Sequence, residues 1–467
     1  MTHYDLVIIG TGSGNTIVNK RFADWKVAIV ERGTFGGTCL NVGCIPTKMF
    51  VHAADLAATP SVSSRFGIDE QLLDVRWPEV RDRIFHRIDP IAASGSEYRH
   101  HNPDNANVTV YDGTGRFTGV KELTVDNKDG STSVFSADRF VLAAGSRPIV
   151  PPIPGLEETG YHTSNTIMRL EELPRRLAII GSGFVAAEFA HVFASFGVEV
   201  TIIARSATLL RHEDAELAER YTEIAQAKYD VRLNHETIRV ARHADGSILL
   251  GMLHPDGSDE LVVDEVLVAV GRVPNSDLLN LDATGVEVGH EGRVVVDEYQ
   301  QTTVDGIYAL GDVTTPHQLK HVANHEARVV KHNLLNPDDR ITSDHRFVPH
   351  AVFSSPQIAA VGLTEEEAKD RGIPYVVSVQ RYADIAYGWA MEDTTGFAKI
   401  LADPKTGLII GCHVIGPHAP TVIQPVIQAM SFGVDAYSMA RQQYWIHPAM
   451  PELIENALLK LPLDPKG

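Results

Sequence analysis

An α/β fold in three parts is predicted by two observations at the front of the chain and one at its end. A short apolar strand running into a glycine-rich turn occurs twice, at residues 6–14 and again at 177–186, each time followed by a helical stretch and a second apolar strand. From about His345 the pattern changes to strands such as 407–415 and then to helices, the mark of a separate α+β domain. With 467 residues the chain has room for about three domains.

The first unit starts with the strand 6–9 and the turn Gly10-Thr11-Gly12-Ser13-Gly14-Asn15, continues as a helical stretch, and closes with the strand 27–30 ending at Glu31. A glycine-rich turn between strand and helix lets the backbone approach a pyrophosphate, whose charge a helix N-terminus stabilises, so each unit is read as a Rossmann-like nucleotide site. Asn15 stands where the pattern has its third glycine, and looser packing of helix on strand is expected there. Glu31, about 20 residues after the first glycines, can accept hydrogen bonds from a ribose diol, which suits an adenosine without a 2′-phosphate.

Next comes Gly36-Gly37-Thr38-Cys39-Leu40-Asn41-Val42-Gly43-Cys44-Ile45-Pro46-Thr47-Lys48, holding two of the three cysteines. Five residues of ideal helix would hold the two Cα atoms about 8 Å apart, beyond the usual disulfide span of about 4.4 to 6.8 Å. A bridge therefore requires an irregular loop before the helix, which Gly43 permits. Residues 45–58 read as that helix, with Pro46 in its first turn and Cys44 at its N-terminus, where the dipole favours a thiolate. A structural zinc site fits poorly, because paired zinc cysteines are usually two to four residues apart and further ligands are needed, so no metal is expected. A pair of inert buried thiols is the other reading, and the flanking motifs favour a dithiol that cycles.

The second unit repeats the pattern with the strand 177–180, the turn Gly181-Ser182-Gly183-Phe184-Val185-Ala186, a helix through Phe196 and the strand 198–203. Ala204 takes the place of the acid, with Arg205 next and Arg211 nearby, and two guanidinium groups suit a 2′-phosphate. Between and after the units lie a β-rich segment from about Val108 to 140–145, a proline-rich connector at 148–155, Gly271-Arg272-Val273-Pro274-Asn275, and a strand ending in the turn at Gly311-Asp312. The boundaries expected are 1–155 and 156–275 for the two nucleotide domains, 276–344 for a segment completing the first, and 345–467 for the C-terminal domain.

A formal charge of −19 argues against nucleic acid or an anionic membrane surface as the main partner. No apolar run is long enough to span a bilayer, and the chain enters Tyr4-Asp5-Leu6 without a basic region, an apolar signal core or a cleavage site. With few cysteines, this points to a reducing compartment, the cytoplasm by default. Cys412 reads as a buried strand residue that packs, and the residues after Leu461 are expected to fray.

These motifs together resemble the flavin-dependent pyridine-nucleotide disulfide reductases, the family of glutathione reductase and dihydrolipoamide dehydrogenase, over nearly the whole chain. The resemblance implies that the first unit holds FAD through Gly10, Gly12, Gly14, Glu31, Thr38 and Gly145, with Gly311 and Asp312 near its ribityl and pyrophosphate region. It implies NADPH on Gly181, Gly183, Arg205 and Arg211, Gly271 and Arg272 near the flavin, and a Lys48–Glu188 ion pair beside flavin N5. His447 and Glu452, in His447-Pro448-Ala449-Met450-Pro451-Glu452, match the family's acid/base motif. The C-terminal domain is then a dimerisation domain, and His447 faces the cysteines of the other subunit of a homodimer.

The activity implied is NADPH-dependent reduction of a small-molecule disulfide, with Cys44 nearer the flavin and Cys39 as the interchange thiol. Ala144 replaces the threonine common in the family's ATG turn, and Phe184 replaces a gating tyrosine, which keeps an aromatic face and loses the hydroxyl. An NAD-linked dihydrolipoamide dehydrogenase is the main alternative, against which Ala204, Arg205 and Arg211 speak. From another class, the chain could be a flavoprotein binding or electron-transfer module with an idle disulfide. Lys20, Arg21, Tyr98 and His100 are candidates for the disulfide entrance.

Overall fold

The structure, a computed structural model, describes residues 1–463. Of the tail expected to fray, 464–467 lie outside the described residues, and Leu463 packs against the C-terminal core.

The first sheet has five parallel strands in the order Val108–Gly119, Val27–Glu31, Thr2–Ile9, Thr132–Leu142, Ile307–Ala309. The strand Glu122–Asn127 links the first of these to Thr132–Leu142 as an antiparallel meander. Leu6, Val7 and Ile8 are fully buried, as a parallel sheet covered on both faces requires. Thr2–Ile9 lies at the point where the strand order reverses, so the crevice at its C-terminal end, at Gly10, is where such sheets bind ligands. Ile307–Ala309 is delivered to this sheet only after the chain has completed the second nucleotide unit.

The helix expected after the first glycine turn is replaced by two single 3₁₀ turns, Gly14–Thr16 and Lys20–Phe22. The cause is Arg99, buried on the long helix Trp77–His101. Its guanidinium donates to the Asn15 side chain at 2.8 Å, the Asn15 carbonyl at 2.7 Å and the Val18 carbonyl at 3.0 Å. Those carbonyls are thereby diverted from an α-helical ladder, and the Asn19 side chain accepts from the Arg21 N–H in a competing local turn. Nor is the packing looser at Asn15: Gly14 supplies the close approach, since a Cβ there would stand 2.6 Å from that of Ala143.

The second unit follows expectation. Glu265–Val268, Arg176–Ile180, Glu199–Ala204 and Asp230–Leu233 form a parallel sheet. An antiparallel sheet of Glu236–Arg242, Ile248–His254 and Gly257–Val263 adjoins it. The helix Phe184–Ser195 packs Phe189, Val192 and Phe193 into the same core as Phe50, Val51 and Ala54 of the helix Cys44–Ala58, which locks the cysteine segment to the second nucleotide unit.

Beyond residue 345 a five-stranded antiparallel sheet runs in the order His350–Val352, Ile358–Gly362, Ile409–Ile415, Phe397–Ala402, Val376–Arg381. Cys412 is fully buried in it, and burial raises its pKa. Lys399, also buried in this sheet, ties it to the second unit: its Nζ lies 3.0 Å from Asp214, 2.7 Å from Glu365 and 3.4 Å from Glu216. Asp214 caps the helix Ala215–Lys228. No helix among the described residues is long and apolar enough to cross a membrane.

Candidate active site

A cleft of about 380 Å³ opens at the C-terminal end of the first sheet. It is lined by Gly10, Thr11, Gly12, Glu31, Gly37, Thr38, Cys39, Cys44, Gly145, Gly311 and Asp312, which puts both cysteines in the same cleft as the glycine turn. Gly10 has a φ of +105°, and a Cβ there would meet the Ala143 carbonyl at 2.3 Å; a Cβ on Gly37, at φ +71°, would stand 2.7 Å from the Gly12 Cα. Backbone lies against backbone at both places, which only glycine allows. Glu31 already accepts from the Thr11 N–H at 2.8 Å, the Thr11 hydroxyl at 2.6 Å and the Gly33 N–H at 2.7 Å. A carboxylate has about four acceptor sites, so one remains for a ribose hydroxyl. These residues fit a flavin dinucleotide.

The cysteine segment is more regular than expected. Cys39 sits in a one-turn helix, Gly37–Asn41, and the chain breaks only at Val42 and Gly43 before Cys44 opens the helix Cys44–Ala58. Asn41 holds the short helix in place by donating to the Phe35 carbonyl at 2.8 Å and the Gly37 carbonyl at 3.0 Å.

Both cysteines are free thiols lining the same cleft, close enough to act on each other's ionisation. The two titrate apart: the bond from Cys39, aided by backbone N–H donation and by the Lys48 cation, lowers the Cys44 pKa to about 7. The same bond and burial push Cys39 up. Cys44 is therefore the thiolate of the pair near neutral pH.

Lys48, one turn into the same helix, donates to Glu188 Oε2 at 2.7 Å, and its Nζ lies 4.0 Å from the centre of the Phe353 ring. Glu188 Oε1 accepts the Phe353 N–H at 2.9 Å. Arg272 donates to the Ser146 hydroxyl at 2.8 Å and the Ser146 carbonyl at 2.8 Å, and Ser146 in turn donates to Asp312 Oδ2 at 2.6 Å. Burial lowers the pKa of Arg272, while the nearby Asp312 and Cys44 counter it. Gly271, at φ +129°, precedes it, and the Gly311 N–H donates to the buried Glu326 at 2.6 Å.

In the second unit Gly181, at φ +143°, lies against the Ala269 carbonyl, whereas a Cβ on Gly183 would enter open space. Phe184 opens the helix there with its ring half exposed. Arg205 follows the strand Glu199–Ala204, and both Arg205 and Arg211 are exposed with no carboxylate partner among the described residues.

His447 is not among the residues lining the cleft. Its Nδ1–H donates to Glu452 Oε1 at 2.6 Å, its side chain is 70% exposed, and the neighbouring Tyr444 and Ile446 project uncovered. Lys20, Arg21, Tyr98 and His100 do not reach the cleft either; His100 is committed to Asp112 at 3.0 Å.

Several contributors carried no signal in the sequence. Lys320 lines the cleft, acts on the charge of Cys39 and donates to Ser13 at 3.0 Å, but a lysine opening a helix has no motif. Phe353 and Ser146 act through a backbone N–H and a hydroxyl that only the fold brings to the site.

The family model described as pyridine nucleotide-disulphide oxidoreductase matches residues 4–327, and that family's dimerisation domain matches 348–458. Mycothione reductase of Mycobacterium tuberculosis is 51% identical over 99% of this chain and 100% of its own length. The probable pyridine nucleotide-disulfide oxidoreductase RclA of Escherichia coli is 33% identical over 98% of this chain and 99% of its own. A solved structure of the latter, as a Cu(II) complex of an HOCl-induced flavoprotein disulfide reductase, superposes with a TM-score of 0.84 at 30% identity, covering 98% of this chain and 99% of that one.

Proposed function

We propose, from the premise that this chain belongs to the pyridine nucleotide-disulphide oxidoreductases, that it reduces mycothione to mycothiol with NADPH, as a cytoplasmic homodimer carrying FAD. The substrate rests on the 51% identity to mycothione reductase across the full length of both chains. The chemistry rests on one observation above all: two free cysteines, Cys39 and Cys44, line the same cleft as the glycine turn that fits the dinucleotide.

Gly10, Gly12, Gly14, Glu31, Thr38, Gly145, Gly311 and Asp312 would hold FAD, with Lys48, Glu188, Gly271 and Arg272 around its redox-active end. FAD, when bound, supplies the carrier between a hydride donor and a disulfide. Gly181, Gly183, Arg205 and Arg211 would hold NADPH, the two guanidinium groups, without a carboxylate partner among the described residues, taking the 2′-phosphate. Phe184 would cover the nicotinamide pocket with its ring.

The protein's own part is thiol–disulfide exchange. His447 of the partner subunit takes the Cys39 proton, and Cys39 Sγ attacks one sulfur of mycothione, forming a mixed disulfide as the substrate S–S bond breaks. The departing thiolate takes its proton back from His447, whose Nδ1–H is fixed on Glu452 so that Nε2 is free to exchange it. The Cys44 thiolate then attacks Cys39 Sγ, forming the Cys39–Cys44 bond and expelling the second product as a thiolate, which takes a proton from solvent. Two electrons from NADPH restore the dithiol. The exposed apolar residues beside His447 support its use across a subunit interface. Mycothione, a disulfide of a cysteinyl pseudodisaccharide, carries little charge and demands no basic cluster at the entrance.

Turnover of mycothione, oxidised glutathione and lipoamide, each with NADPH and NADH, tests the proposal. Mycothione with NADPH should give the highest kcat/KM; a preference for lipoamide with NADH would replace it by the dihydrolipoamide dehydrogenase reading.

A further inference from the structure

Away from the cleft, three chain segments of the second nucleotide unit bring His235, His254 and Asp259 together. His235 follows the strand Asp230–Leu233, and His254 and Asp259 stand on the two strands of the hairpin Ile248–His254 and Gly257–Val263. Register explains the meeting. Glu236 pairs with Leu253, so His235 falls opposite His254, and the two rings stack at 4.7 Å between centroids and 20° between planes. His254 pairs with Gly257, which leaves Asp259 as its diagonal neighbour on the same face.

The hydrogen bonding of this group is incomplete as it stands. His235 Nδ1 lies 2.7 Å from the Leu233 carbonyl, to which it must donate. A neutral imidazole has a single N–H, so its Nε2 presents a lone pair to Asp259 Oδ2 at 3.3 Å. His254 Nε2 faces the other carboxylate oxygen at 3.7 Å. Two imidazole nitrogens and a carboxylate thus converge, a donor set that suits a divalent cation. Arg232 Nη1 lies 3.8 Å from the same carboxylate.

A metal ion satisfies all three. The candidate ligand atoms lie within 4.8 Å of one another, and a tetrahedral ion with bonds of about 2.0 to 2.2 Å holds its ligands about 3.3 to 3.6 Å apart, a separation the three side chains reach by drawing together. The bond from His235 Nδ1 to a backbone carbonyl is the outer-shell contact that metal-bound histidines use to fix their tautomer. A cavity of about 290 Å³ lined by Arg205, His235 and His254 leaves room for a water or an anion as fourth ligand. We propose that His235, His254 and Asp259 bind one divalent transition-metal ion of the Zn²⁺ class, tying the end of the parallel sheet to the hairpin beside Arg205.

Calorimetric titration of Zn²⁺ into the full-length, flavin-loaded protein tests this, with Cys39→Ser and Cys44→Ser in place so that no thiolate competes for the metal. One Zn²⁺ per chain should bind, and should raise the melting temperature. His235→Ala and His254→Ala should each weaken binding by more than about 100-fold, beyond what loss of an outer-shell contact produces. His254→Gln, which keeps the side-chain volume, guards against misfolding, checked by its melting temperature without zinc. Absence of stoichiometric binding, or one Zn²⁺ per chain that survives both histidine substitutions, would overturn the assignment.

Discussion

Lys48 and Glu188 meet at 2.7 Å across 140 residues of sequence, and the second Glu188 oxygen accepts the Phe353 N–H. One carboxylate thus joins the cysteine helix, the second nucleotide unit and the C-terminal domain. The two partners act on Cys44 with opposite sign, Lys48 lowering its pKa and Glu188 raising it.

Alkylation of the reduced enzyme by iodoacetamide should show this. In the wild type the rate rises with pH through about 7, where Cys44 ionises. Lys48→Met should move that rise to higher pH, Glu188→Gln to lower pH, and Cys39→Ala should raise it most, because the Cys39 hydrogen bond is the largest stabiliser of the thiolate. Glu188→Ala should also cost about 1–3 kcal/mol in urea unfolding, by leaving Lys48 and the Phe353 N–H unpaired. Unmoved profiles in all three variants would separate the ion pair from the thiol.

Arg205→Ala and Arg211→Ala should each raise the KM for NADPH by about 10- to 100-fold, the equivalent of a charge-assisted bond of about 1.5–3 kcal/mol. The KM for NADH should stay put. Steady-state kinetics with both nucleotides reads the difference, and an equal effect on the two would mean that the arginines do not meet a 2′-phosphate.

If His447 serves the partner's cysteines, two inactive subunits should complement. Co-expression of Cys44→Ser with His447→Ala, followed by isolation of the hybrid dimer through distinct tags, should recover about half the wild-type turnover per dimer, since one of its two sites is whole. A hybrid as inactive as its parents would confine each site to a single chain.

The buried Lys399 cluster sets an acid limit. Lys399 beside Glu365 holds that carboxylate at about 2, below its ordinary 4.5. A depressed carboxylate contributes stability above about pH 4.5, and that contribution is lost as pH falls towards 2. Lys399→Met should cost about 3–5 kcal/mol at neutral pH, because three carboxylates lose their buried partner. Urea midpoints across pH 2–6 should show a steeper acid loss in wild type than in the variant.

How much of this was legible in the sequence follows from what each residue does. Glycine turns, Glu31 and the cysteine spacing could be read because a close backbone approach admits one residue type, and a motif records that constraint directly. The α-helix expected after Gly14 failed because Arg99, 84 positions from Asn15, takes the carbonyls the helix needed. No local propensity encodes a competitor that distant. Lys320, Phe353 and the His235–His254–Asp259 cluster were silent for the same reason: each arises from strand register or helix placement and leaves no periodic trace. His447 and Glu452, which the structure brings within 2.6 Å, stand out in the sequence only through their motif, for a lone histidine among 21 has nothing else to distinguish it.

The contact of Gly37 with Gly12 has an evolutionary corollary. Where two main chains touch without side chains between them, neither position can drift, and the floor of the cleft offers no vocabulary for choosing among substrates. Diversification towards different thiols must be written on the rim. Relatives acting on unlike disulfides should then share this floor almost letter for letter while their rims diverge.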